Sequence, residues 1–177
     1  SLPYTEGFEG SMPTGAYPMP YCWSKIGYSN YPYIENGGSS WSSPAHSGSC
    51  ALYFSGGSSY SEQIAVLPTF AADANQLMIS LYYKNSSLNS QYYTYPRFIV
   101  GAMSDPADKT TFVAVDTLAL NTSYTQTKVY LSNMPATHKY VAIKYAGGSS
   151  TSYGYVDDIT VDYLPTCVPA QNIHIGA

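Results

Sequence analysis

Nine short stretches rich in β-branched and aromatic residues recur along this chain of 177 residues, and no segment sustains an apolar period of 3.6 over three turns. A chain patterned this way builds its core from strands. The stretches are residues 4–9, 50–54, 62–67, 76–83, 97–103, 112–118, 125–131, 139–145 and 153–163. Turn chemistry separates them at Asp105-Pro106, Asn133-Met-Pro135 and Gly147-Gly148. Nine strands in one domain predict an all-β fold, a β-sandwich of two packed antiparallel sheets. One turn of helix is predicted over 105–109, with Asp105 capping ahead of Pro106.

The last stretch, Tyr155-Val-Asp-Asp-Ile-Thr-Val-Asp-Tyr163, is the most informative locally. Strict alternation puts Tyr155, Asp157, Ile159, Val161 and Tyr163 on one face, so a carboxylate sits in an apolar row. An ionised carboxylate there is costly unless a cation or hydrogen-bond donors meet it. The first stretch, Tyr4-Thr-Glu-Gly-Phe-Glu9, carries two more acids. With the two strands side by side, the acids converge as oxygen ligands for a hard cation. Phe8 and Glu9 cannot both point inward without a bulge, so Glu6 stands as an alternative to Glu9.

Charged residues make up only 10%, with 7 Lys and Arg, a net charge of −4 and no basic cluster, so the electrostatic footprint of nucleic-acid binding is missing. No apolar run approaches the ~20 residues of a membrane-spanning helix. The 20 tyrosines, together with abundant Ser and Gly and little Lys, read as an exported or surface-displayed protein, with Ser1-Leu-Pro as the start of a mature or trimmed chain. Cys22, Cys50 and Cys167 are an odd set. A Cys22–Cys50 bridge is compatible with them, and thiolate metal spacing is absent.

Residues 10–49 read as a long irregular connection holding both tryptophans, and 85–95 as a second one. The segment 165–177 reads as a stiff linker and the opening of a following domain, with residues 1–164 as the main domain.

Several motifs, in this order, resemble the cleaved-adhesin and MAM-like domains of secreted bacterial adhesins and gingipain-type haemagglutinin regions. They are Glu6-Gly-Phe-Glu9-Gly-Ser-Met-Pro13 with Cys22-Trp23, and His46-Ser-Gly-Ser-Cys-Ala-Leu-Tyr-Phe54. Val100-Gly-Ala-Met-Ser-Asp-Pro-Ala-Asp108 with Thr111-Phe-Val-Ala-Val115 follows, then Lys128-Val-Tyr-Leu131, Lys139-Tyr-Val-Ala-Ile143 and Tyr155-Val-Asp-Asp-Ile-Thr-Val161. The likeness covers roughly residues 4–163. It implies a jelly-roll β-sandwich, a structural calcium, and a fibronectin-III-like domain after Pro165-Thr-Cys-Val-Pro169. It further implies Glu9 and an aspartate of Asp157-Asp158 as calcium ligands. The His46-Ser47-Gly48 turn, through Ser47, adds carbonyl oxygen. Alternation favours Asp157 over Asp158 as the main ligand. Some members carry an Asp-Gly-Asp-Gly loop after the first strand for a second calcium. Here residues 24–36 hold Glu35 as their only acid, which does not match that loop.

Aromatics in or beside the loops are the candidate ligand contacts: Tyr31, Tyr33, Trp41, Tyr92, Tyr93 and Tyr95. Aromatic faces stack on sugar C–H surfaces, while Trp23 reads as a plug at the end of the sandwich. No catalytic constellation is present: His46, His138 and His174 lie in separate segments, and no nucleophile elbow, zinc-protease or P-loop motif occurs. The expected function is a non-catalytic, calcium-stabilised adhesion or carbohydrate-binding module of an exported bacterial multidomain protein. Its partners are a glycan or a host surface protein, and the adjacent domains of its own chain. The alternatives are a structural spacer and a glycan-active hydrolase.

Overall fold

The computed structural model describes residues 1–10, 14–27, 30–37, 44–56, 62–86, 94–148 and 152–168. Among these lie eleven strands: β1 (Tyr4–Glu6), β2 (Ser24–Ile26), β3 (Tyr33–Asn36), β4 (Cys50–Gly56), β5 (Gln63–Val66), β6 (Leu77–Asn85), β7 (Arg97–Met103), β8 (Val113–Thr117), β9 (Thr125–Tyr130), β10 (Tyr140–Ala146) and β11 (Ser152–Tyr163). One antiparallel sheet runs β3-β4-β11-β6-β9, with β1 also paired to β11. The other runs β2-β5-β10-β7-β8. The result is a jelly-roll β-sandwich.

Alternation along the strands supplies its core. Leu52 and Phe54 of β4, Leu77, Ile79, Leu81 and Tyr83 of β6, and Val156, Ile159 and Val161 of β11 come from the first sheet. They pack on Phe98 and Val100 of β7 and Val141, Ile143 and Tyr145 of β10. Phe98 sits at the centre, with ring contacts to Phe54, Tyr83 and Tyr145. Trp23 is buried, lies edge-on to Phe8 and donates from Nε1 to the Tyr4 hydroxyl at 2.9 Å, as expected of a plug.

Five expectations are revised. First, β11 does not keep one face. Val156, Ile159 and Val161 all enter the core, although Val156 and Ile159 are three apart. A bulge shifts the register between Asp157 and Thr160, and Asp158 takes φ 45°. The extra residue reverses the alternation, so Tyr155 and Asp157 lie on the outer face while Ile159 and Val161 lie on the inner one. Second, β1 ends at Glu6. Phe8, at φ 60°, then swings into the core and leaves Glu9 exposed, which removes the conflict between the two side chains. Third, the 10–49 segment contains β2 and β3. They are only three and four residues long, too short for a periodic signal. Fourth, the helical turn comes later than predicted. Asp105 closes a turn by accepting from Ala107 N–H at 2.8 Å, and Asp108 caps a 3-10 turn at Lys109–Thr111. Fifth, Cys22, Cys50 and Cys167 are all free thiols, so the Cys22–Cys50 bridge is not formed.

Candidate functional site

The first and last strands do lie together: β1 pairs antiparallel with β11, Tyr4 opposite Val161 and Glu6 opposite Ile159. β11 is long enough to take two partners on one edge. It pairs with β4 as far as Val156, opposite Leu52, and with β1 from Ile159 onward. Asp157 and Asp158 sit where one partner gives way to the other. The backbone N–H groups of the loop entering β4 are unpaired there, and the carboxylates satisfy them.

Asp157 is fully buried and accepts three N–H bonds. Oδ2 takes His46 at 2.7 Å and Ser47 at 3.1 Å, and Oδ1 takes Asp158 at 2.7 Å. Burial raises its pKa and outweighs the Ser47, Asp158 and His46 N–H groups that lower it. Asp158 Oδ2 meets His46 Nδ1 at 2.7 Å, and its Oδ1 accepts from the Ser47 hydroxyl at 2.8 Å. Glu9 Oε1 accepts from Ser49 N–H at 2.8 Å and Cys50 N–H at 2.6 Å, while Oε2 accepts from the Ser49 hydroxyl at 3.0 Å. Desolvation opposes ionisation of Glu9, but the Cys50 and Ser49 donors prevail and hold it below its ordinary value. Gly48 makes this seat: its φ is +65°, and a Cβ there would stand 2.4 Å from the Glu9 carboxyl carbon. Glu6 is used locally, accepting from the Tyr4 hydroxyl and the Phe8 N–H.

Glu9, Ser47, Asp157 and Asp158 thus come to one junction. Their hard oxygens are the right donor type for calcium. Among the described residues, however, no group of three or more His, Cys, Asp or Glu converges on one point. Asp157 is largely engaged by N–H donors. The spare lone pairs are on Asp158 and on Glu9 Oε2, and these would hold a cation.

A second constellation lies on the outer face of the six-stranded sheet. Tyr33 of β3 pairs across with Tyr53 of β4, Tyr53 with Tyr155 of β11, and Tyr155 with Lys84 of β6. Directly opposed residues share a face, so three tyrosines form one continuous row. Tyr31 packs on Tyr33 and Tyr53 with centroids 5.4 and 5.5 Å away, and Tyr17 on Tyr33 at 5.1 Å. Lys84 Nζ lies over the Tyr155 and Tyr124 rings at the far end. An open groove of about 480 Å³ along residues 14–25 borders the row at Tyr17. Glu35 stands beside Tyr33, two residues along β3 on the same face. Burial, then the Glu35 charge, pushes the Tyr33 hydroxyl up to about 12. Burial and Glu35 raise Tyr155 as well, and burial foremost raises Tyr53.

Of the expected contact residues, Tyr31 and Tyr33 join this row. Trp41, Tyr92 and Tyr93 lie outside the described residues. Tyr95 is half-buried just before β7, where 95–96 abut Gly148. Sequence reasoning missed Tyr17, Tyr53, Tyr155, Glu35 and Lys84. Tyr53 was accessible by alternation, because it stands between the core residues Leu52 and Phe54. Tyr155 was hidden by the bulge.

No family model matches the chain, and no curated protein sequence does. Solved structures match throughout. The K1 cleaved adhesin domain of Lys-gingipain from Porphyromonas gingivalis W83 superposes with a TM-score of 0.68 at 17% identity, over 93% of this chain and 100% of that one. The K2 cleaved adhesin domain of Lys-gingipain gives 0.66 at 17%, over 90% and 97%. The fold is that of the gingipain cleaved adhesin domains. The likeness to cleaved-adhesin domains expected from the motifs is borne out at the level of fold. The C-terminal family 22 carbohydrate-binding module of Clostridium thermocellum Xyn10B also matches, with a TM-score of 0.55 at 17% identity over 93% and 94%.

Proposed function

We propose that this chain is a non-catalytic carbohydrate-binding or adhesion module of an exported bacterial protein. One observation carries the reading: the outward row Tyr33–Tyr53–Tyr155, widened by Tyr31 and Tyr17, is a run of aromatic surface on a rigid sheet. Sugar rings expose C–H faces that stack on such rings, and Tyr hydroxyls and Lys84 supply hydrogen bonds to sugar hydroxyls. Domains of similar fold include one whose name states carbohydrate binding and two named as adhesin domains, in keeping with this use. Glycosidase chemistry needs two carboxyl groups facing each other across a cleft. The acids grouped at the junction instead satisfy backbone donors of neighbouring loops, which supports a binding role. Trp41, Tyr92, Tyr93 and Tyr95 are further candidate contacts.

Calcium belongs to this proposal as a structural ion, held by Glu9, Asp158 and Asp157 with Ser47 contributing oxygen. It would clamp the β1 and β4 loops to β11 and offset the repulsion among clustered carboxylates. At ~1,000 times its Kd an ion stabilises the fold by roughly 4 kcal/mol.

The test is calorimetric titration with xylo-, galacto-, cello- and chito-oligosaccharides, repeated on Tyr31→Ala and Tyr33→Ala. Binding that weakens at least tenfold in either variant is expected. A well-folded protein that binds none of them refutes the glycan reading and leaves a spacer module. EDTA is expected to lower the Tm. An unchanged melt, with no calcium detected in metal-free preparation and titration, removes the ion.

A further inference from the structure

Glu35 is the unexplained group on the tyrosine face. Its Oε2 is sequestered from solvent and has no hydrogen-bond partner. A buried carboxylate oxygen without a donor is rare in folded proteins and calls for a missing partner. The Tyr155 hydroxyl hydrogen-bonds the Glu35 carboxylate, which leaves Oε2 as the oxygen without a donor. The neighbouring cations are occupied. Lys25 Nζ donates to the Asn30 and Pro32 carbonyls at 2.6 and 2.8 Å, and Lys84 lies over the Tyr124 and Tyr155 rings. Among the described residues the ion pairs are His46–Asp158, Lys109–Glu62 and Lys144–Glu62, none of which involves Glu35.

Tyr53–Tyr155 and Tyr31–Tyr33 lie nearer to parallel, at 30° and 32°, while three other ring pairs beside this carboxylate are set at steep angles. Tyr33 and Tyr53 meet at 79°, Tyr31 and Tyr53 at 74°, and Tyr17 and Tyr33 at 73°. Perpendicular rings form corners in which a π-face and a ring edge are both presented. A π-face attracts a cation, and an adjacent carboxylate adds direct charge attraction. A neutral sugar would leave Glu35 uncompensated, and an acidic sugar would be repelled. Calcium is a poor occupant here, because it wants 6–8 oxygens and this pocket offers one carboxylate among phenols.

We propose that the tyrosine row with Glu35 selects a glycan carrying a protonated amine, a 2-amino-2-deoxy sugar, with the ammonium on Glu35 and the sugar ring against Tyr33 and Tyr53. This rests on the glycan reading above and narrows its ligand class. Lys84, at the other end of the row, sets the polarity: the amine lies towards β3 and uncharged sugar hydroxyls lie towards β6.

The experiment is titration of the protein with a glucosamine tetramer and with its fully N-acetylated counterpart. It is run at mildly acidic pH, where the sugar amine carries its proton. The expected result is at least about tenfold tighter binding of the amine form, with selectivity abolished in Glu35→Gln. Glu35→Gln is also expected to melt no lower than the parent, since it removes an uncompensated charge. Equal affinity for both tetramers in the parent protein overturns the proposal and leaves the glycan site standing. Selectivity that survives Glu35→Gln overturns the assignment to this carboxylate. Failure of both tetramers and of every neutral oligosaccharide overturns the site and the inference together.

Discussion

Replacing Asp157 by Asn keeps the shape of the side chain and removes its charge. In the parent, three backbone N–H groups converge on its two oxygens, two on Oδ2 and one on Oδ1. The amide has one oxygen. Its better orientation keeps that oxygen on the His46 and Ser47 N–H groups and turns the NH2 against the Asp158 N–H. That leaves one buried donor unpaired, at about 1–3 kcal/mol, and converts two charge-assisted bonds to neutral ones, at roughly 1 kcal/mol each. Relief of the burial penalty on the ionised carboxylate, and of its repulsion by Asp158, offsets the loss of the charge-assisted bonds. The unpaired donor remains, so the net expectation is a loss of about 2 kcal/mol. A domain of this size has about 5–15 kcal/mol to lose, so the variant still folds. The Tm should fall by roughly 4–8 °C. Urea titration reads the effect as a lower midpoint at unchanged slope. Asp162→Asn on the same strand is the control, because among the described residues Asp162 accepts from the next residue's N–H alone, and its cost should stay within about 0.5 kcal/mol. If Asp157→Asn costs less than about 1 kcal/mol, the carboxylate does not clamp the loops and the junction has another basis.

Gly48→Ala is expected to destabilise by about 2 kcal/mol, from its positive φ and the Glu9 carboxyl group in the space of the new Cβ. In a double-mutant cycle with Glu9→Ala the two losses should be less than additive by at least about 0.5 kcal/mol; strict additivity refutes the contact. Glu9 has a folded pKa below its ordinary 4.5, so its stabilisation is present above that pH and is lost as pH falls through the lower folded value. Glu9→Gln should therefore flatten the acid limb of a stability–pH profile below about pH 4.5, by a small amount because the residue is exposed; an unchanged limb refutes the assignment.

Much of the site was legible in part. Glu9, Ser47, Asp157 and Asp158 were expected together, and they meet because β1 and β4 share one edge of β11. Their use was read less well. Oxygens expected to face a cation accept N–H groups from residues 46–50, and a sequence does not reveal which backbone donors a loop leaves unpaired. The tyrosine row was half visible. Tyr31 and Tyr33 read from the sequence as loop residues, yet Tyr33 belongs to β3, and its partners Tyr53 and Tyr155 lie 20 and more than 100 residues away along the chain.

Period-two patterning and turn residues determined that this chain is a strand sandwich, because burial of alternate side chains is a local property that any window of sequence carries. Arg97–Met103 was read to the residue for that reason. Tertiary structure alone decided the face on which Tyr155 and Asp157 lie. One extra residue in β11 inverts every side chain before it relative to those after it, and Asp157 at that bulge is met by donors from a loop more than 100 residues away.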